Sequence, residues 1–262
     1  MPTLIHVDPH IHTIYYDGIN LATYGVHVSG EGTYGAPERD IESVEVPGRS
    51  GDLIYDKKRY KNTTVTYHAF IAADTYGLET TGFDFDEKIA NFRNFLYRAR
   101  GYKRLEDTYH PEEYRLGIVS GSLDPTVYQL SVAEFDLTFN CKPQRFLKFG
   151  EVSKPYDYTG SSVVLENPTM QDAKPIIRIT GVGNLQIQND STIFSIDILD
   201  HDDIPYIDID CDMSNAYYDA SNCNSYVKLS NDEFPVLTPG SNYILLGSGI
   251  THVEITPRWW KI

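Results

Sequence analysis

A glycine-containing turn followed by a run of cations could hold a phosphate group. Gly48 and Gly51 enclose Arg49, and four cations occupy positions 57–61. A phosphate loop leads into a helix, because the amides at a helix N-terminus converge on the anion. Here apolar and polar residues alternate over 64–71, which is typical of a strand with one apolar face. The sequence therefore predicts a turn between two strands, with the cations on a solvated edge.

Three histidines near the start of the chain, His6, His10 and His12, could share a metal ion. Imidazoles two residues apart lie on the same side of a strand, but no second cluster offers a third or fourth ligand. A terminal strand or arm with exposed histidines accounts for the same residues. No metal site is predicted there.

A series of aspartates fits the spacing of a calcium loop. Asp208, Asp210, Asp212 and Asp219 fall at positions 1, 3, 5 and 12 of such a loop. The sixth position, where the loop requires glycine for its turn, is Met213. The aspartates also alternate with apolar residues through Met213, as they would in a half-buried strand. The sequence therefore favours a strand with a solvated acidic face over a calcium site.

No arrangement of residues indicates catalysis. Ser50 misses the nucleophile position of a Gly-x-Ser-x-Gly elbow by one residue. The segment GVGNLQ, residues 181–186, lacks the third glycine of a dinucleotide fingerprint and leads into a strand pattern. We therefore expect no catalytic residue, no cofactor and no enzymatic activity.

Two adjacent tryptophans, Trp259 and Trp260, could form a platform for a sugar, because aromatic faces suit pyranose rings. They could equally close the last strand over the core. The core role is the favoured interpretation for at least one of the two.

Composition and charge limit the classes of partner. The chain has 262 residues, of which 41% are hydrophobic, so a core can form without disulfides. Its three cysteines include no CxxC pair, which argues against a disulfide framework and a zinc ribbon. A formal net charge of -15 repels DNA and anionic lipid, so neither a sequence-specific nucleic acid nor a membrane is expected as a partner. We also expect no signal peptide and no membrane span.

The elements that must position these residues are mostly strands. Asp17-Gly18 predicts a tight hairpin, and alternation over 133–139 predicts an amphipathic strand. One helix interrupts this pattern, with Asp84 as its N-cap and Gly101 just beyond its end. Its apolar residues at helical spacing are Phe85, Ile89, Phe92 and Leu96.

A domain boundary is expected where the strand signal pauses, over 141–162, because prolines and glycines accumulate there. We place the domains at 1–145 and 146–262. Short strand-like runs separated by turn signals follow the boundary, with the spacing of a β-sandwich or jelly roll. The expected fold is therefore mainly β with one notable helix.

Several motifs, in order along the whole chain, resemble the distal tail protein (Dit) family of siphophages and of prophages of Gram-positive bacteria. The segments that carry the resemblance are ERDIESVEVPGRSGDLIYDKKRYKNTTVTY (residues 38–67), the opening hairpin around Asp17-Gly18-Ile19, IDCDMSNAY (209–217), EFPVLTPG (233–240) and the ending PRWW (257–260). Members of this family are hub components of the phage baseplate.

The resemblance implies a virion structural protein of the tail tip or baseplate, assembled in the host cytoplasm. It implies a homo-hexameric ring of N-terminal β domains around a channel for DNA, with galectin-like C-terminal β-sandwiches. The implied partners are the major tail tube protein, the tail-associated lysin or fibre protein, and receptor-binding or other baseplate proteins. On this reading Arg49, Arg59 and Tyr60 are ring contacts, and the two arginines pair with acidic groups of a neighbouring subunit.

Two functions follow from the sequence. The favoured one is a structural hub that joins the tail tube to host-adsorption proteins. The alternative is a carbohydrate-binding adhesin that recognises host cell-surface glycans through Trp259 or Trp260. Burial of both indoles would argue against an adhesin of this kind.

Overall fold

The computed structural model describes residues 12–29, 32–72, 82–128, 132–189, 192–201, 204–230 and 232–262. The chain divides into two compact units, one ending at Arg145 and the other running Phe146–Lys261. Both units consist mainly of β-strands, and the described residues contain a single α-helix. The prediction of a mainly β fold with one notable helix is confirmed.

The first unit combines short strands, one helix and two long strands. Its elements are β1 (Ile14–Tyr16), β2 (Ile19–Asn20), β3 (Val26–Val28), β4 (Arg39–Val44), β5 (Leu53–Tyr60), β6 (Thr63–Ala72), α1 (Gly82–Arg98), β7 (Lys103–Asp107), β8 (Glu113–Val119), β9 (Thr126–Tyr128) and β10 (Val132–Cys141). A sheet has the strand order β2-β1-β7-β8-β10-β6-β3, and β9 also pairs with β10. Strands β4 and β5 form a separate two-stranded sheet.

The core of the first unit lies between α1 and the long strands β6 and β10. Alternate residues of β10 from Ala133 to Phe139 are buried, as are those of β6 from Val65 to Ile71. Phe92 of α1 packs on Phe135 of β10 with ring centroids 5.8 Å apart. The predicted strand and helix periodicities are both confirmed here. The strand residues and Phe85, Phe92 and Leu96 of the helix are buried, and Ile89 is partly buried against the same core.

The helix begins earlier than predicted. It starts at Gly82, so Asp84 lies inside its first turn and is not the residue before it. The prediction relied on the preference of aspartate for the N-cap position, whereas the helical backbone continues through the preceding glycine. No helix in the described part of the chain is long and apolar enough to cross a membrane.

The described residues of the second unit form strands, short 3-10 turns and loops, and they include no α-helix. The remaining strands are β11 (Arg145–Leu147), which begins at the unit boundary, β12 (Lys154–Asp157), β13 (Val163–Asn167), β14 (Ile176–Gly181), β15 (Gly183–Gln188), β16 (Ile193–Ile198), β17 (Ile207–Asp210), β18 (Asn215–Tyr218), β19 (Ser221–Asn222), β20 (Val227–Leu229), β21 (Gly240–Leu246), β22 (Ile250–Thr256) and β23 (Trp260–Lys261).

These strands form a β-sandwich. One sheet has the order β12-β22-β14-β17-β18-β19, and the other has the order β13-β21-β15-β16-β20. A single apolar cluster takes residues from both sheets, including Ile177 and Ile209 from the first and Leu185 and Ile244 from the second. The second unit is therefore two sheets packed on one core, as the spacing of its strand signals predicts.

All three cysteines, Cys141, Cys211 and Cys223, are free thiols and buried. Burial raises the pKa of the Cys141 thiol to about 11. Burial also raises the pKa of Cys211, and the neighbouring Asp210 adds to this effect. These side chains act as small apolar core residues.

Candidate functional site

The hairpin formed by β4 and β5 is the most exposed of the described strand pairs of the first unit. Its strands pair in antiparallel register, with Val44 opposite Leu53. In the described part of the chain these strands pair only with each other. The connecting turn has positive φ angles of 79° at Gly48 and 82° at Gly51, which glycine adopts at little cost. This region is the predicted turn between two strands, and Ser50 lies exposed within it.

Large apolar side chains lie in the solvent on this hairpin. Their exposed fractions are high for apolar residues, reaching 60% for Ile54 and 65% for Tyr55. An isolated two-stranded hairpin is only marginally stable in water, and exposed apolar clusters mark interaction sites. We define the hairpin surface as Ile41, Val44, Leu53, Ile54 and Tyr55.

The hairpin surface has two faces, as the strand register shows. Ile54 lies opposite Ser43, which places it on the same face as Ile41. Leu53 lies opposite Val44, and together with Tyr55 these residues occupy the other face. Apolar side chains are therefore exposed on both sides of the hairpin, and a partner could bury either side.

The charged groups at the base of the hairpin pair with each other. Both Nε and Nη2 of Arg59 lie 2.6 Å from Oδ2 of Asp40. Lys57 Nζ lies 3.6 Å from the other oxygen of the same carboxylate. The predicted ring contact Arg59 therefore has an acidic partner on the adjacent strand of its own chain, and its side chain is still 72% exposed.

The hydrogen bond from Arg59 lowers the pKa of Asp40, and the charge of Lys57 acts in the same direction. The pKa of Asp40 is lower in the folded state than in the unfolded state. The Arg59–Asp40 pair therefore stabilises the hairpin fully at pH values above the unfolded-state pKa of Asp40. That stability is lost as the pH falls through the folded-state pKa.

The Arg59→Gln variant is expected to raise the pKa of Asp40, since it removes the main cause of its lowering. An NMR titration of the Asp40 carboxyl carbon measures this change. Arg49→Gln is the matched control, because Arg49 lies in the hairpin turn, whereas Asp40 lies in β4 at the base of the hairpin. An Asp40 pKa that is the same in Arg59→Gln and in the unmodified protein would contradict the assignment.

The other two predicted ring contacts lie on the same hairpin. Arg49 is exposed in the turn, where its backbone amide donates to the carbonyl of Val46 at 3.1 Å. Tyr60 is half-buried at the end of β5, opposite Arg39. The structure thus places Arg59 and Tyr60 at the base of one exposed element and Arg49 near its tip.

Three of the four aspartates considered for calcium, Asp208, Asp210 and Asp212, have basic partners. Asp208 accepts two hydrogen bonds from Arg178, at 2.8 and 2.9 Å, and Asp210 accepts two from Arg258, at 3.0 and 3.1 Å. Lys174 Nζ lies 3.5 Å from Asp212. These carboxylates bind cationic side chains of the sandwich, and their negative charge is compensated within the unit.

The predicted strand through Met213 is wrong beyond Asp210. Strand β17 ends at Asp210, whose Oδ1 accepts the backbone amides of Asp212 at 2.9 Å and Met213 at 3.0 Å. These hydrogen bonds stabilise a turn. The Asp210 side chain accepts backbone amides that would otherwise donate to a neighbouring strand. Met213 is consequently 73% exposed, and it does not face the core.

The two tryptophans do not form an exposed platform. Trp259 is only 3% exposed and belongs to the core of the sandwich. Trp260 is half-buried against the same core, and its indole nitrogen donates to the carbonyl of Asp172 at 2.8 Å. The prediction that at least one indole is a core residue is confirmed. The proposal of Trp259 as part of a glycan platform is wrong, because the core covers its ring.

Among the histidines considered for a metal, His6 and His10 lie outside the described residues. His12 Nδ1 lies 3.0 Å from the hydroxyl of Thr108, and its ring stacks on Tyr109 with centroids 3.7 Å apart. The described residues contain no group of three or more His, Cys, Asp or Glu side chains arranged for a metal ion.

Sequence reasoning missed the hairpin surface. The available signal was the run Leu53-Ile54-Tyr55, three consecutive large apolar residues beside a turn. A solvated edge strand would alternate apolar and polar residues, whereas this run exposes apolar side chains on both faces.

Comparison with known proteins identifies the fold. No protein-family model matches the chain, and no curated protein matches it by sequence. Among solved structures, the chain matches the crystal structure of the SPP1 Dit (gp 19.1) protein, described as a paradigm of the hub adsorption apparatus in phages that infect Gram-positive bacteria. The TM-score is 0.70 at 15% sequence identity, and the match covers 93% of this chain and 98% of that one. The chain therefore has the fold of this phage hub protein over almost its entire length.

Proposed function

We propose that the protein is a structural hub of a phage tail tip or baseplate. The observation that carries this proposal is the shared fold, which extends over 93% of this chain and 98% of the SPP1 hub protein. A match confined to the sandwich would not distinguish between functions, since that architecture occurs in proteins with unrelated functions. A match through both units supports a common role.

In the proposed assembly six copies form a ring through the first unit, and the galectin-like second unit lies outside it. The hairpin surface supports this arrangement, because its exposed apolar side chains need a partner and a second copy supplies one. Arg49 and Tyr60 flank that surface, and Arg59 is exposed enough to reach a neighbour while it holds Asp40. A ring requires a heterologous contact, in which the hairpin meets a different patch of the next subunit.

The ring would join the tail tube protein to a tail-associated lysin or fibre protein, with receptor-binding or other baseplate proteins at its periphery. Phage DNA would pass through the central channel. Residues 1–145 carry 21 Asp and Glu against 15 Lys and Arg. This acidic balance suits the role, because a channel wall that repels the polyanion forms few contacts that DNA must break. Burial of Trp259 leaves only the half-buried Trp260 for an adhesin that acts through its tryptophans.

The native mass of the purified protein, combined with negative-stain electron microscopy, tests this function. The expected result is a six-subunit ring with an opening wide enough for duplex DNA. A protein that stays monomeric both alone and when mixed with its tail tube protein would overturn the proposal. A ring whose channel is lined mainly by basic side chains would overturn the account of the charge.

The double variant Ile54→Ser/Tyr55→Ser is expected to weaken ring formation by at least about tenfold in the subunit dissociation constant. It removes one large apolar side chain from each face of the hairpin, and burial of such a side chain contributes about 1.5–3 kcal/mol. Mass photometry over a range of concentrations measures the change.

The matched control is Ile193→Ser/Tyr243→Ser, which alters an isoleucine 51% exposed and a tyrosine 42% exposed on the sandwich. This control is expected to leave the ring intact, because neither residue belongs to the hairpin surface. Equal weakening by both double variants would argue that the hairpin surface has no specific role.

A further inference from the structure

The turn that joins β7 to β8 encloses a small polar cavity in the first unit. Asp107, His110, Arg115 and Arg145 contribute to its lining. The centre of a water-sized sphere can move within about 10 Å³ of this cavity. That volume corresponds to one water molecule or one ion of similar size.

Two nitrogen atoms of the lining side chains lack a hydrogen-bond partner. They are Nη1 of Arg115 and Nε2 of His110, both shielded from solvent and without a partner among the described residues. Arg115 as a whole is only 6% exposed, so its guanidinium cannot reach bulk water instead. Because buried polar atoms in folded proteins almost always have partners, these two atoms indicate a bound ligand.

The hydrogen bonds of Asp107 indicate which tautomer the neutral His110 side chain adopts. One carboxylate oxygen accepts the Tyr67 hydroxyl at 2.7 Å, and burial keeps that hydroxyl protonated by raising the pKa of Tyr67. The other oxygen lies 2.8 Å from the His110 amide and 3.1 Å from His110 Nδ1. A carboxylate only accepts hydrogen bonds, so Nδ1 carries the proton. In the neutral imidazole Nε2 then has a lone pair and must accept.

The ligand must therefore satisfy one donor and one acceptor. Arg115 Nη1 only donates, and Nε2 of the neutral His110 side chain with its proton on Nδ1 only accepts. A halide ion accepts hydrogen bonds but cannot donate one, and a metal cation would be repelled by the guanidinium. A water molecule does both. The second arginine of the cavity, Arg145, lies 3.5 Å from Glu113, and this carboxylate compensates its charge.

We propose that this cavity is a binding site for a single internal water molecule, which accepts a hydrogen bond from Arg115 Nη1 and donates one to His110 Nε2. The water completes the polar network of Tyr67, Asp107 and His110 and fixes the β7–β8 turn to the strand that carries Arg115. It solvates a guanidinium that the fold otherwise removes from water.

A high-resolution crystal structure of the full-length protein, with crystals soaked in sodium bromide, tests the proposal. The expected result is one ordered density peak within about 3.2 Å of both nitrogen atoms, without anomalous signal at the bromine absorption edge. An anomalous peak at this position would show a halide site and overturn the proposal. An empty cavity, or one filled by a side chain, would also overturn it.

The His110→Phe variant tests the second hydrogen bond separately. It keeps an aromatic ring beside Tyr34, whose ring centroid lies 5.1 Å from that of His110, and it removes the acceptor nitrogen. The water peak is expected to disappear or to lose at least half of its occupancy. Full occupancy at the same place in this variant would show that His110 does not hold the water. His68→Phe is the control, because His68 is an exposed histidine outside the cavity.

Discussion

The Gly249→Ala variant is expected to destabilise the second unit strongly and to lower its urea unfolding midpoint. A Cβ atom at this glycine would lie 1.8 Å from the carbonyl oxygen of Val182 and 3.0 Å from its carbonyl carbon. The same two residues are joined by a hydrogen bond, since the Val182 amide donates to the Gly249 carbonyl at 3.1 Å. Because both contacts involve backbone, no side-chain rotation relieves the overlap, and we expect a cost of about 3 kcal/mol or more.

Tryptophan fluorescence during urea unfolding measures this effect. Both tryptophans of the chain lie in the second unit, so their emission follows its unfolding. Gly35→Ala is the control, because a Cβ atom there meets nothing within 4 Å and the residue has no positive φ angle. An unchanged midpoint for Gly249→Ala would mean that the two segments can separate at little cost.

The Phe92→Ala variant is expected to destabilise the first unit by about 3–5 kcal/mol, the usual range for removal of a fully buried phenylalanine. Phe92 is only 1% exposed, and its ring lies 6.0 Å from that of Tyr24 and 5.8 Å from that of Phe135, measured between centroids. The ring thus connects α1 to the long strand β10, and its removal leaves a cavity between helix and sheet.

Far-ultraviolet circular dichroism at the wavelength of the helix signal follows this loss, because the described residues contain only one α-helix. Arg93→Ala is the control on the same helix, since Arg93 is exposed. Its expected effect is within about 0.5 kcal/mol. Alanine is at least as good a helix former as phenylalanine or arginine. Comparable destabilisation by both variants would therefore contradict the role of Phe92 in core packing.

The sequence predicted the parts of the fold in which one face of an element is buried. Val65 to Ile71 in β6 and Ala133 to Phe139 in β10 alternate as the sheet requires. Phe92 and Leu96 follow the period of α1 in the same way. In these segments the core of the same chain imposes the pattern, so the pattern is visible in the chain itself.

The hairpin surface could not be predicted in that way. Ile54 and Tyr55 are adjacent in sequence and lie on opposite faces of β5, so no alternation separates an inner from an outer face. Their burial, in the assembly we propose, depends on a second molecule. A single sequence contains no signal for the position of that molecule.

Other differences between the structure and the sequence-based predictions arise from side-chain hydrogen bonds, some local and some long-range. The turn after β17 forms because Asp210 accepts two backbone amides, which competes with continued strand pairing through Met213. The water site requires His110 and Arg115 to face one cavity, and residue spacing does not predict such an orientation. Local sequence patterns report burial more reliably than they report side-chain hydrogen bonding.

The burial of all three cysteines bears on the chemical durability of the protein. We propose that this chain is a component of a phage particle. Such a particle leaves a reducing cytoplasm and persists in air-saturated surroundings. The thiolate is the form of cysteine that oxidants attack, and a pKa near 11 leaves almost none of it at Cys141 near neutral pH. Because the core covers the thiols, we expect them neither to form disulfides between neighbouring particles nor to be oxidised to sulfenic acids during long storage outside the host.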